Sequence, residues 1–174
     1  MRRCLALIVL ALVLLNAAPA RAEGPPVPAV DFVGTYFKVG LGLGGAFARE
    51  RSAGFVIGPL IELIRLPDND AMFWYGAQAD LMVDSNGDAD TGARWSIGPT
   101  FGKFVVGADL EYLGERVGGE TYHGLGGRLK LTVGIAALYF RYGHTFDSPD
   151  ADFAEVGLQL KLPIRLGKPR VYER

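Results

Sequence analysis

The chain has 174 residues, a net charge of −1, and 49% hydrophobic against 21% charged residues. That balance excludes an intrinsically disordered chain, and the length suits one domain. No basic patch is present, which argues against nucleic acid as a partner, and 24 glycines are about twice the average share of roughly 7%.

Residues 1–22 read as a cleaved secretory signal peptide. Arg2 and Arg3 give a positive start, residues 4–15 form an apolar run too short to span a membrane, and Ala20-Arg21-Ala22 supplies a small-x-small site before Glu23. Cleavage there removes three arginines, which takes the net charge from −1 to −4, and also removes Cys4, the only cysteine. The exported chain then has no disulfide, thiol nucleophile or Cys-ligated metal. No later run of 18 apolar residues exists, which excludes a helical membrane protein. Residues 23–34 form a Pro-rich periplasmic lead-in, residues 35–166 the folded domain, and residues 167–174 a tail.

Alternation of apolar and polar residues, punctuated by glycine, predicts eight strands. They fall at 35–47, 55–66, 72–83, 94–101, 104–113, 122–133, 136–146 and 153–164. In the first, Phe37, Val39, Leu41 and Leu43 oppose Lys38, Gly40, Gly42 and Gly44. The second is nearly all apolar and contains Pro59, so its register rests on placing Glu62 with the polar set. The links after strands two, four and six read as short. Those after one, three, five and seven read as longer and more polar, as an outer-membrane barrel with its termini in the periplasm requires.

The polar face carries many of the glycines, among them Gly76, Gly98, Gly107, Gly124, Gly126, Gly143 and Gly157. Glycine weakens a solvated strand, but inside a narrow barrel it makes room for long neighbours, so the polar face is expected to point inward. It carries five acids (Glu62, Asp80, Asp109, Glu111, Glu155) and six bases (Lys38, Arg94, Arg128, Lys130, Arg141, Lys161). Near balance predicts an interior ion-pair network, since buried charges are tolerated when paired. Aromatics gather at strand ends as two expected girdles. Tyr36, Phe37, Phe73, Trp74, Tyr75, Phe101 and Phe104 lie on the short-turn side. Phe47, Phe55, Trp95, Tyr112, Tyr122, Phe146 and Phe153 lie on the loop side.

On these residues the chain resembles the small eight-stranded outer-membrane β-barrels, the class of OmpX and the OmpA transmembrane domain. The resemblance implies an all-β, antiparallel, up-and-down transmembrane barrel over about residues 35–166. Glu155, Gly157, Leu160 and Leu162 also resemble the last-strand assembly signal of that class. Leucines replace its usual aromatics, and the chain runs on past Leu162. The partners implied are outer-membrane lipid, lipopolysaccharide and the barrel-assembly machinery, with the protein a monomer.

Candidate chemistry is sparse. His123 and His144 lie near the loop side on the lipid-facing parity, with Asp147, Ser148 and Asp150 just beyond His144. Eight-stranded lipid A-modifying enzymes use such residues, but His144-Thr145-Phe146 lacks their His-x-Ser pattern. The run from Asp84 to Asp90 spaces oxygen ligands like a calcium loop without the required glycine position or distal glutamate. Gly40 to Gly45 has no following helix and is no nucleotide loop. The sequence therefore predicts no catalytic residues, cofactor or metal. Its leading functional expectation is a structural or surface-interaction barrel with a side-chain-filled interior and no wide pore. The alternatives are a lipid A-modifying enzyme and a soluble lipocalin-like barrel with the apolar face inward.

Overall fold

The computed structural model describes residues 33–48, 53–68, 72–85, 92–117, 119–146 and 152–167. The expected signal peptide, nearly all of the lead-in and the tail beyond Gly167 lie outside them, as do residues 86–90 of the calcium-like run and Asp147, Ser148 and Asp150.

Eight strands form: β1 (Gly34–Ala48), β2 (Gly54–Leu66), β3 (Phe73–Ser85), β4 (Gly92–Lys103), β5 (Val106–Val117), β6 (Glu120–Val133), β7 (Ala136–Thr145) and β8 (Phe153–Leu166). Each pairs antiparallel with the next and β8 pairs with β1, which closes the barrel and leaves no free edge. Every ladder keeps a single register. Following partners once around the wall leads from Tyr36 through Ile64, Gly76, Thr100, Asp109, Arg128, Arg141 and Glu155 to Ala46, ten residues further along β1. For eight strands, a climb of that size corresponds to a tilt of about 40° and a narrow lumen.

β2 takes the register that puts Glu62 opposite Lys38, with both inside. Pro59 points outward, and the β2–β3 ladder skips Gly58 and Pro59. Proline has no N–H to donate, so the wall tolerates it there as a local gap. Pro99 does the same in the β4–β5 ladder.

Burial is inverted relative to a water-soluble protein. Among the described residues, thirty-two large apolar side chains are exposed, including Leu110, Leu129, Leu138 and Leu162, while seventeen polar or charged ones are buried. Water would not accept an apolar surface this continuous, whereas hydrocarbon would. The interior is charged, which removes the lipocalin-like alternative, because there is no apolar lumen to hold a ligand.

The expected sorting of connections into short and long is corrected. β5 and β6 extend to Val117 and Glu120, so the predicted eight-residue loop shrinks to two residues, while the β2–β3 link, 67–72, is longer than read. The continuing alternation of Glu115, buried, and Arg116, exposed, carries β5 past its expected end. The end where β1 begins and β8 finishes is the terminal end of the barrel, and the opposite one the distal end.

Candidate functional site

The most heavily built region of the molecule is the lumen. Inward glycines let large groups lie across it. Met82 covers Gly42, the Tyr139 hydroxyl sits by Gly44 and Gly157, Trp74 lies on Gly102 and Gly107, and Phe153 lies on Gly143.

Toward the terminal end, three ammonium groups converge on one carboxylate. Glu62 is met by Lys38 at 3.5 Å, by Lys130 at 2.7 Å and by Lys161. Lys130 also reaches Asp109 at 2.7 Å and the Thr100 hydroxyl at 2.9 Å. The Trp74 ring lies beside this cluster, with Lys38 and Lys130 within 6 Å of its centroid (5.9 and 5.6 Å). Its indole N–H donates to the Phe104 carbonyl at 3.3 Å.

At mid-height Arg128 pairs with Asp80 and, at 2.8 Å, with Glu111. Arg141 Nε donates to Glu111 at 2.6 Å. Ser96 donates to Asp80 and Gln78 to Glu111. Toward the distal end Arg94 bridges Glu115 and Glu155, each at 3.0 Å, with Asp84 at 3.9 Å, and Tyr139 donates to Glu155. Phe153 packs on this cluster, its ring centroid 3.4 Å from the Arg94 guanidinium carbon.

All eleven charged residues singled out from sequence thus lie inside, in one connected set. Sequence reading missed Asp84 and Glu115, because both sat in expected loops, and it missed Gln78 and Tyr139 as network members. Four aromatics are corrected. Trp74 and Phe153 are buried in the lumen rather than in the girdles. Tyr36 pairs with Ile64, and Tyr122 with Glu115, which puts both on the inward parity. Phe37, Phe73, Tyr75, Phe101 and Phe104 remain outside near the terminal end, and Trp95, Tyr112 and Phe146 outside near the distal end. Of the assembly-signal positions, Glu155 and Gly157 face inward, while Leu160 and Leu162 face outward.

On the outer wall at the distal end, Trp95 lies over Gly114, its cross-strand partner. Tyr112 stacks on His123 with ring centroids 5.8 Å apart, and Trp95 tilts against both. This covering ring takes the place of the side chain that glycine lacks. Trp95→Ala is expected to cost about 1 kcal/mol beyond the lost area, read as a lower urea midpoint in detergent micelles. No change would show that the stack contributes nothing.

Beside it, His144 Nδ1 sits 3.0 and 3.1 Å from the two Asp152 oxygens. The Thr145 amide and Tyr142 hydroxyl donate to the same carboxylate. Burial raises the Asp152 pKa, but these donors outweigh it and hold the group below the ordinary carboxylate value. The arrangement holds His144 on the outer face with its side chain about half exposed. Among the described residues it has no serine or cysteine beside it, and no cluster of three metal-ligating side chains occurs.

No protein-family model matches the chain, and no curated protein matches its sequence. Among solved structures it is similar to Neisserial surface protein A, with a TM-score of 0.50 and 15% identity over 74% of this chain and 96% of that one. A looser likeness, with a TM-score of 0.43 and 10% identity over 72% and 99%, is to the Yersinia pestis outer membrane protein Ail. The fold is that of the small eight-stranded outer-membrane β-barrels.

Proposed function

We propose that the protein is an integral outer-membrane barrel with a structural or surface-interaction role, its terminal end in the periplasm and its lumen filled by side chains. One observation carries this reading: an outer wall of exposed apolar residues encloses a lumen of paired charges. An eight-stranded barrel has room inside for side chains and little more. Supporting this, salt bridges cross the lumen at three heights, and the Trp74 and Phe153 rings lie inside it toward its two ends. Its partners would be membrane lipid, lipopolysaccharide and the assembly machinery that inserts it.

Membrane fractionation followed by an unboiled-versus-boiled gel tests this placement. The expected result is an outer-membrane band that resists carbonate and shifts on boiling. A soluble band without a shift would overturn it. In planar bilayers the protein is expected to give no conductance in the nanosiemens range, and steps of that size would contradict the filled lumen.

The His144–Asp152 pair favours a second reading, an enzyme acting on lipid at the membrane surface. A carboxylate on Nδ1 leaves Nε2 free to accept a proton, the geometry of a general base. A lipid A profile altered by overexpression and restored by His144→Ala would establish it. An unchanged profile would leave the pair a structural tie between β7 and β8.

A further inference from the structure

A cleft of about 340 Å³ opens at the terminal end where β1, β2 and β8 meet. Arg65, Arg165, Thr35 and Asp68 line it, with Leu66 and Leu166 as apolar walls. Arg165, on the inward parity opposite Tyr36, donates to the Val33 carbonyl at 2.9 Å, which fixes its guanidinium at the rim of the barrel. Arg65 is exposed on the outer face, paired across strands with Thr35 and Tyr75, and its side chain has no protein partner among the described residues. Two residues back along β2, Leu63 belongs to the apolar band. Arg65 therefore stands where that band ends, beside an interfacial aromatic.

We propose that this cleft holds the phosphodiester of a phospholipid headgroup in the leaflet at the terminal end, with Arg65 reaching it from the outer face and Arg165 over the rim from the lumen side. The proposal rests on the membrane-spanning reading above. Guanidinium forks match phosphate oxygens in pairs, and a site at the edge of hydrocarbon strengthens such bonds. Two arginines and one aspartate give the cleft a formal charge of +1. That matches the single negative charge of a phosphodiester better than the near-double charge of free phosphate. Leu166, exposed on the outer face, flanks the position with surface suited to the start of an acyl chain.

Native mass spectrometry of the mature protein, released from micelles containing phosphatidylglycerol or a phosphate-free galactosyl diacylglycerol, tests this. Wild type is expected to retain phosphatidylglycerol preferentially, and Arg65→Gln with Arg165→Gln to reduce that retention about tenfold or more. Equal retention of the two lipids, or no loss in the double variant, would overturn the proposal. Inorganic phosphate displacing the lipid and raising the melting temperature by itself would assign the cleft to the free ion and overturn the lipid assignment. The boiled-gel shift of each variant reports folding. Should the double variant not fold, the exposed Arg65→Gln alone is expected to reduce retention, and no reduction would overturn the proposal. Carbonate extraction of wild type separately tests whether the barrel is in a membrane at all.

Discussion

Glu62→Leu is expected to destabilise the barrel by about 3–5 kcal/mol, because it strips a buried ion cluster of its shared anion. Lys130 would keep Asp109 and the Thr100 hydroxyl, but Lys38 and Lys161 would lose their carboxylate inside the lumen, in a cluster that lies beside the Trp74 ring. Uncompensated ammonium groups in such surroundings cost far more than the net value of the pairs they leave. Urea titration in micelles, followed by tryptophan fluorescence, measures the loss. Adding Lys161→Leu to Glu62→Leu removes one stranded charge and is expected to restore at least about 1 kcal/mol. A single variant as stable as wild type would mean that water, not Glu62, compensates the lysines.

The second large effect concerns a hydrogen replaced by a methyl group. Gly98→Ala places its Cβ against the Leu110 carbonyl oxygen, which is backbone of β5 and cannot swing aside. The strands must part where Pro99 has already interrupted their ladder. A loss of about 3 kcal/mol or more is expected, seen as a reduced heat-modifiable band. Gly42→Ala is the matched control. Its Cβ meets the Met82 methyl, the free end of a flexible chain, and its cost should stay below about 1 kcal/mol. Equal costs at the two positions would show that the wall, rather than its neighbours, sets the tolerance.

Much of this architecture is legible in the residues because a strand's faces alternate with a period of two. Once Glu62 is assigned to the interior, the whole of β2 follows, even across Pro59. Parity also explains the errors. Tyr36 and Tyr122 sit near strand ends, where an aromatic suits a membrane interface, yet their neighbours Lys38 and Gly124 already define their side as inward. Trp74 and Phe153 show the same conflict, and in both the large ring is accommodated by glycines on adjacent strands, a cross-strand match that no single strand reveals. Asp84 and Glu115 were hidden for another reason. Polar residues near a turn look like loop, and the pull of Arg94, on the strand that pairs with both of theirs, is not visible from either segment alone. The cleft joins Thr35 and Arg65 to Arg165 of the last strand, which the closure of β8 onto β1 brings together.

On the proposed outer-membrane placement, the brevity of the connections limits what can recognise this protein from outside the cell. None between described strands exceeds seven residues. A link of that length, doubled back on itself, stands at most about 12 Å clear of the strands that carry it. Polysaccharide on a bacterial surface would overtop it. Antibodies and phage fibres would find little epitope to grip, and proteases few bonds to cut. Encounters from the side, by other molecules diffusing in the same bilayer, meet the full height of the wall.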